Sequence, residues 1–588
     1  MSSLSISRKH WILKKFDQSD VSSFKENFFL DEITSKLLSI RNIKKEDIKS
    51  FLNPSIKNFL PNPKILNDME KSSKRTTEAI RKKEKIGIFG DYDVDGASAT
   101  ALLGNFFSSI NLPYEIYIPD RKKEGYGPSI HAFEKLIEKG VKLIFTVDCG
   151  TLSFDAINFA NTNNINVIVL DHHQSEVNLP NAHSIINPNR IDDKSNLKYL
   201  CAAGVTFMFL VELNKNLRLS NWFDSNKINE PNLLEYLDLV AMGTICDVVP
   251  LVGLNRAIVT QGLKILKTKK NLGLKTLIDI CHIESHPNVY HIGYILGPRI
   301  NAGGRVGKSS HGAKLLLNNN PKDAFKIANE LDQFNKERQY LEKDALNKIL
   351  ESFKEDFSDP VIVISRENLH EGVIGIVASR IKEKFNKPVV IISINKDIGK
   401  ASARSILGFD IGSAIIAATQ EKILMKGGGH KMAGGFTIKV DNIEKFKNFI
   451  INQFKKINNM NLTKERILYL DGIIATTAIN LEFYKKINAL APFGSGNPEP
   501  KFVIEDLKPV NSKIIQHKHI KSVLVGQDGS TIKSIAFNAL ENEIGAYLLK
   551  KDNKVFNIAG KLSLNEWKGQ SNVEFIIDDI SVIKSFKK

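Results

Sequence analysis

An α/β fold built on a mostly parallel sheet is predicted from two observations. From Lys85 onward, the short apolar runs KIGIFG, YEIYIP, VKLIFTVDCG and INVIVLDHH alternate with the helix-patterned stretches ASATALLGNFFSSI, SIHAFEKLIEKG and LSFDAINFANTN. Such alternation marks βαβ units, whose crossovers make neighbouring strands parallel. The second observation is that Asp91, Asp148 and Asp171 each close one of the apolar runs. Ligands of these sheets bind beyond the carboxyl ends of the strands. Three acidic groups therefore line one rim of the predicted sheet.

The remaining elements follow in order. Residues 1–84 read as a helical lead-in: EITSKLLSIRNI and EAIRKKEK fit helices, and NPSIKNFLPNPKI breaks them. The basic run Lys82, Lys83, Lys85 reads as a solvated face. The parallel-sheet domain is expected over 85–319, with 201–280 largely helical. Residues 320–357 read as one long connector helix. Asn320 can cap it, Pro321 suits its first turn, and Phe325, Ala328 and Leu331 keep helical spacing. A connector of this kind leaves a groove between two lobes. A second α/β domain is expected over 358–460, from strands PVIVIS and KPVVIISI around the helix GVIGIVASRIKEKF. Residues 466–588 carry short strands separated by turn residues, the pattern of a small OB-type barrel.

Composition narrows the class. The chain has 588 residues, 42% hydrophobic and 25% charged, enough for several domains with cores of their own. No apolar run is long enough for a spanning helix, and MSSLSISRKHWILKKF lacks the apolar core of a secretory signal. Cys149, Cys201, Cys246 and Cys281 lie far apart and form no CxxC pair, which fits a reducing cytoplasm and argues against a disulfide frame or zinc knuckle. The formal net charge of +17 suits a polyanion, nucleic acid first. A general lysine bias would give the same charge.

The chemistry concentrates in a few motifs. DYDVDG places Asp91, Asp93 and Asp95 at alternate positions before Gly96. Carboxylates that close repel one another, and a hard divalent cation relieves them. The alternative is a solvated acidic turn. Asp148 after LIFTV could be a ligand or a helix cap. Asp171-His172-His173 adds imidazole, a good ligand for Mn²⁺ or Fe²⁺. Adjacent histidines on an extended segment point opposite ways, so one can bind metal while the other meets substrate. Asp247 lies in the apolar segment LLEYLDLVAMGTICDVVPL and needs a compensating partner, a metal or a buried arginine, while Cys246 beside it reads as core. Gly427–His430 offers either a phosphate nest or a plain tight turn. Arg121, Arg299 and Arg305 are expected to hold phosphates, because a guanidinium fork matches phosphate geometry; each could instead serve a structural ion pair. In the barrel, Lys518, His519, Lys521, Trp567 and Lys568 are candidates for a basic, stacking groove. Trp567 could equally be core.

Taken together, DYDVDG, VD, DHH and GTICDVVPL resemble the DHH phosphoesterase superfamily. The phrases GYGP, GPRINAGGRVG, HEGVIGIVASR, GGGHKMAGG and APFGSGNPEP are similar to its RecJ branch, from about residue 50 onward and in unbroken order. The resemblance implies a DHH catalytic domain, a DHHA1-like substrate-binding domain, and a 5′→3′ exonuclease specific for single-stranded DNA. It implies mononucleotide products, a role in DNA repair and recombination, and a cytoplasmic monomer working beside a helicase and a single-strand-binding protein. It also implies two divalent cations, Mn²⁺ or Mg²⁺, sharing Asp148. Asp91 and Asp93 would complete one site, and Asp95, His172 and Asp247 the other. Asp93, Asp148 and His173 would act in catalysis, His173 at the scissile phosphate or the leaving oxygen. Substrate contacts are implied for Arg121, Arg299, Asn301, Arg305, His370, Arg380, Ser402, Arg404, Gly428, Gly429 and His430. Two positions depart from the pattern. Phe89 stands where other branches place a histidine ligand, and Asp91 is expected to take over that duty. Leu369 stands where many relatives have Trp. The extra C-terminal module of some relatives is expected to be absent. Two other readings are a phosphodiesterase for short oligonucleotides or cyclic dinucleotides, which needs no barrel, and a non-catalytic scaffold, which would have lost ligands.

Overall fold

A computed structural model describes residues 4–121, 123–352, 359–458, 466–550, 555–567 and 570–582. The first strand, β1 (Lys9–Leu13), joins the far end of the chain and is taken up with it below. The predicted parallel sheet comprises β2 (Ile86–Gly90), β3 (Tyr114–Tyr117), β4 (Leu143–Val147), β5 (Asn166–Leu170) and β6 (Ser184–Ile186). Their order is β3-β2-β4-β5-β6, all parallel. β6 has only three residues, too short a run to read from sequence. Every residue of β2 and β4 is buried, as expected where helices cover both faces. The chain leaves β2 for β3 on one side and returns to β4 on the other. The crevice beyond the ends of β2 and β4 is thus the switch point where such sheets bind ligands. Phe89 in β2 is fully buried and stacks on Tyr117, with ring centroids 5.8 Å apart, so it is a core residue.

Helices Val94–Ser109, Ala202–Leu219, Leu237–Cys246 and Gly253–Lys267 pack into one apolar core with the sheet. The long helix runs Pro321–Ser352, with Asn320 Oδ1 accepting the Lys322 amide at 2.9 Å. Its buried stripe begins with Ala324, Ala328 and Leu331 and continues to Ala345 and Ile349. Phe325, expected on that stripe, is exposed, because the burial phase starts one residue earlier.

The second lobe is a mixed sheet of β7 (Ile362–Glu367), β8 (Val389–Asn395), β9 (Ile398–Arg404), β10 (Lys426–His430) and β11 (Ala433–Lys439). The order is β10-β11-β9-β8-β7, and only β7 and β8 run parallel. Neither expectation for the glycine run holds. Gly427–His430 is neither nest nor turn but part of edge strand β10, paired with β11 from Lys426↔Thr437 to His430↔Ala433.

β12 (Arg466–Leu470) opens the C-terminal domain, followed by β13 (Gly472–Ile473), β14 (Phe502–Ile515), β15 (His519–Val525), β16 (Thr531–Ala536), β17 (Phe556–Trp567) and β18 (Gln570–Ser581). Pairing of β14 with β17 closes β14-β15-β16-β18-β17 into a five-stranded barrel. The lead-in is not purely helical. β1 pairs in parallel with β12, and Trp11 Nε1 donates to Asp579 Oδ2 at 2.8 Å. Phe24, Leu37, Leu38 and Ile48 complete the barrel's own core. A helical pattern alone does not reveal which distant domain will cover it.

Two arginines tie this domain to earlier parts of the chain, Arg256 from the catalytic lobe and Arg41 from the lead-in. Arg256, 1% exposed, donates to the carbonyls of Phe51, Leu490, Ala491 and Pro492. Arg41 donates to Asn497 Oδ1 at 3.0 Å and to the Pro498 carbonyl at 2.9 Å.

Candidate metal centre and phosphate pocket

β2 stops at Gly90 and the chain turns, so the three DYDVDG carboxylates converge. Asp93 caps helix Val94–Ser109, accepting the Gly96 amide at 3.0 Å. A Cβ on Gly96 would come within 2.7 Å of the Asp91 carbonyl, so the turn needs glycine there. Asp95 is buried and accepts the amides of Ala202 and Ala203 at 2.6 and 2.9 Å. It thus sits at the positive ends of two helices. Asp148 follows β4 with φ +62°, and Asp247 closes helix Leu237–Cys246.

Three groups of potential ligand atoms result, each within 4.8 Å: Asp91, Asp93 and Asp148; Asp95, His172 and Asp247; and Asp148, His172 and His173. His172 Nε2 lies 3.3 Å from Asp148 Oδ1, 3.6 Å from Asp247 Oδ2 and 3.8 Å from Asp95 Oδ2. Asp91 and Asp148 each keep a buried carboxylate oxygen with no hydrogen-bond partner. Burial, then the neighbouring carboxylates, raise the pKa values of Asp91 and Asp148 well above the usual range. Burial and Asp93 also raise Asp95, against the pull of His172. Burial followed by Asp95 and Asp93 pushes Asp247 up to about 8. Orphaned oxygens and crowded negative charge are what divalent cations relieve, and this oxygen-rich set with one imidazole suits Mn²⁺ or Mg²⁺.

The two histidines do not point opposite ways. Their ring centroids are 4.8 Å apart, and both lie toward Asp148. The segment is not an extended strand, because the Asp171 carboxylate accepts the amides of both His172 and His173 and turns the chain. Asp171 also accepts from Thr151 Oγ1 at 2.6 Å and meets His173 Nδ1 at 2.8 Å. It positions the imidazole. Burial works against charge on His173, but the Asp171 bond and charge outweigh it and push the pKa up to about 9. Tyr126 was not among the sequence candidates, although GYGP contains it. Its hydroxyl donates to the Asp148 carbonyl at 2.9 Å and lies 3.2 Å from His173 Nδ1.

A cluster of guanidinium groups faces this centre from the lobe junction. Arg121 lies over the Tyr92 ring, 5.2 Å from its centroid. Arg305 donates to the Gly372 carbonyl at 3.3 Å, and Arg404 to Ser402 Oγ at 3.1 Å and the Ala403 carbonyl at 2.8 Å. Among the described residues none of the three forms an ion pair. Burial, then the charges of Arg121, Arg338 and Arg404, push Arg305 down to about 10. Burial and Arg121 lower Arg404 as well. Gly304 lets the helix carrying Arg305 approach, since a Cβ there would lie 2.9 Å from the Tyr92 ring.

Several other candidates have partners of their own. Arg299 pairs with Asp332 at 2.9 Å, and Arg380, itself largely exposed, with Glu342 at 3.1 Å, both partners on the long helix. His370 caps helix Glu371–Phe385 through the Gly372 amide. Asn301 lines a separate cleft with Cys246 and Pro298. Gly428, Gly429 and His430 lie on edge strand β10. In the barrel, Lys521 pairs with Glu574 at 2.7 Å, and buried His519 accepts the Asn538 amide. Lys518 is exposed. The Trp567 side chain and Lys568 lie outside the described residues.

Comparison with known proteins agrees with this architecture. The profile of the DHH family N-terminal domain matches residues 85–244, that of the DHHA1 domain 358–456, and that of the RecJ OB domain 470–579. The single-stranded-DNA-specific exonuclease RecJ of Bacillus subtilis is 31% identical over 98% of this chain and 71% of its own length. That of Haemophilus influenzae is 34% identical over 90% of this chain and 93% of its own length. The crystal structure of RecJ in complex with Mn²⁺ from Thermus thermophilus covers 98% of this chain and 80% of that one, with a TM-score of 0.81 at 26% identity. By its identity to these relatives over nearly its whole length, and by its three domains in their order, this chain belongs to the RecJ family of DHH phosphoesterases.

Proposed function

We propose that this chain is a single-stranded-DNA-specific exonuclease that hydrolyses phosphodiester bonds from the 5′ end and releases mononucleotides. The observation that carries the reading is the ring of Asp91, Asp93, Asp95, Asp148, His172 and Asp247, with buried carboxylate oxygens left unpartnered. Asp148 would be shared between two ions, with Asp91 and Asp93 on one side and Asp95, His172 and Asp247 on the other. Two such ions, when bound, supply an acidified water and a clamp on the attacking and leaving oxygens. The remaining roles belong to the chain's own groups. His173, exposed and aimed by Asp171, meets the scissile phosphate and holds a proton near the leaving oxygen. Arg121, Arg305, Arg404 and the Ser402 hydroxyl bind the 5′-terminal phosphate. Fixing that phosphate sets the distance to the bond cut, and hence both polarity and product length.

The protein acts in DNA repair and recombination in the cytoplasm, as a monomer supplied with single strands by a helicase and a single-strand-binding protein. No helix among the described residues is long and apolar enough to cross a membrane. The closed barrel at the C-terminus favours long strands over dinucleotides. The test labels a long single strand at either end, adds Mn²⁺ or Mg²⁺, and compares duplex DNA and Asp148→Asn. Early release of 5′-labelled mononucleotide, absent with duplex and in the variant, is expected. Equal release from both ends, or cleavage confined to dinucleotides, would overturn the proposal.

A further inference from the structure

The backbone of the two histidines is held by side chains rather than by a sheet. His172 and His173 each carry one amide and one carbonyl, and all four groups are engaged. Asp171 Oδ1 accepts the two amides. The two carbonyls go to the loop that follows β6. Asn187 Nδ2 donates to the His173 carbonyl at 2.9 Å, and Asn189 Nδ2 donates to the His172 carbonyl. Asn187 is fully buried and its amide is saturated. Its Oδ1 accepts the Asn189 amide at 2.8 Å, and Nδ2 also reaches Thr151 Oγ1 at 2.9 Å. These partners fix which end of the side chain is which, since a backbone N–H only donates and a carbonyl only accepts. They fix the Thr151 hydroxyl too. It receives from Asn187 and donates to Asp171 Oδ2 at 2.6 Å. The other Asp171 oxygen meets His173 Nδ1. Asn187 therefore reaches His173 by two routes, directly at its carbonyl and through Thr151 and Asp171 at its ring. The loop is itself anchored. Arg190 donates to the Ile185 carbonyl at 2.6 Å and pairs with Asp68 at 2.8 Å and Asp192 at 2.7 Å. Asp68, at the start of helix Met69–Arg81, also accepts the Ile185 amide at 3.0 Å.

We propose that Asn187 and Asn189 are positioning residues, a cradle that sets the direction of the two imidazoles separately. Asn187 aims His173 at the scissile phosphate. Asn189 keeps His172 Nε2 among Asp95, Asp148 and Asp247. The role of His173 rests on the proposed nuclease reading. Each asparagine acts through a histidine and not on the reacting atoms. The physical ground is that the ring follows its own backbone. Freeing a carbonyl lets the peptide planes on either side of the residue turn, and the imidazole swings with them. A productive constellation tolerates displacements of only about 0.5 Å, so its supporting side chains must be locked in turn. With the amides fixed by Asp171 alone, the turn would be pinned on one side. The asparagines pin the other.

The test reads two quantities on each variant: Mn²⁺ binding, from the electron paramagnetic resonance signal of the free ion, and steady-state cleavage of a single strand at saturating Mn²⁺. Asn187→Ala is expected to lower kcat roughly 10–100-fold, with KM and the Mn²⁺ Kd each within about 3-fold of wild type. Asn189→Ala is expected to raise the Mn²⁺ Kd roughly 10-fold, with kcat at saturation within about 3-fold of wild type. A general loosening of the fold would not separate the two quantities in this crossed way. Both variants shifting both quantities alike, or neither shifting either, would overturn the cradle. Asn189 is only partly buried, so Asn189→Ala decides the matter if Asn187→Ala does not fold. A lower kcat with an unchanged Mn²⁺ Kd in that variant would overturn the proposal. If wild type binds Mn²⁺ and cleaves nothing, the nuclease reading fails, while the Mn²⁺ series still decides the cradle: an unchanged Kd in Asn189→Ala overturns it.

Discussion

The carboxylate ring and the guanidinium cluster are the same device in opposite sign. Each gathers like charges in partly dry surroundings and leaves them unpaired, so each is built at a cost that a counter-charge removes. They differ in how they are assembled. The acidic groups come from strand ends and adjoining helix caps of one lobe, at positions set by β2, β4 and β5. The arginines come from a loop and a helix of that lobe and a strand of the other, and Arg404 joins Arg121 and Arg305 only when the long helix sets the lobes together. Groups that the sheet itself positions can be rigid without help. Groups gathered across a junction depend on the geometry of that junction.

Breaking the acidic side should have the largest effect. Asp148→Asn is expected to lower kcat on the order of 10³-fold or more, measured with Mn²⁺ on single-stranded DNA. The same change should raise the melting temperature of the metal-free protein, because it removes a carboxyl that must take up a proton to be buried among its neighbours. A variant that loses activity and also melts lower would mean that Asp148 stabilises the empty fold.

Next comes the basic side. Arg404→Ala should reduce kcat/KM about 10–100-fold on 5′-phosphorylated strands, the value of one or two charge-assisted hydrogen bonds. On 5′-hydroxyl strands the loss should be much smaller. Equal losses on both would detach this arginine from the terminal phosphate.

A smaller effect separates the two clusters by pH. Burial and mutual repulsion hold the folded-state pKa of Asp247 above its ordinary 3.8, at about 8, and raise Asp91, Asp95 and Asp148 too. Between those limits the metal-free fold binds more protons than the unfolded chain. Its stability is therefore fully present below the ordinary aspartate value and is lost as pH rises toward about 8. Mn²⁺ should reverse the trend, since it binds the deprotonated ligands, adding about 2.7 kcal/mol at a hundredfold excess over its Kd. Thermal melts with chelator and with Mn²⁺ from pH 5 to 8.5 check both slopes. Parallel slopes would show that the carboxylates are not strained when empty.

The smallest change is expected from Arg299→Met. Its guanidinium is tied to Asp332, so activity should shift less than about 2-fold while stability falls by roughly 1 kcal/mol. A large loss on activity, with the melt unchanged, would place Arg299 on the substrate.

How much was readable beforehand follows the same division. Asp91, Asp93, Asp95, Asp148 and Asp247 stand beside recognisable strands and helices, and alternation alone predicts one rim for Asp91, Asp148 and Asp171. What sequence did not reveal depended on side chains turning the backbone or on distant partners. The two histidines share a direction because Asp171 caps their amides, a local bond with no periodic signature. The glycine run is a strand because β11 pairs with it; glycine permits a nest without compelling one. Arg299 and Arg305 lie six positions apart in one motif, yet one reaches Asp332 and the other the lobe junction. Nothing in the residue type distinguishes them. Tyr126 was legible only as part of a phrase, since its partner Asp148 comes from the other side of the sheet's switch point.

The strand β1 has a consequence for biogenesis. Trp11 and its partner Asp579 are 568 positions apart in the chain. At roughly 5–20 residues per second, a ribosome separates their synthesis by about half a minute to two minutes. Through that interval Phe24, Leu37 and Leu38 have no cover, and a nascent chain must be shielded until its tail emerges. A prematurely terminated product would keep that greasy surface for good.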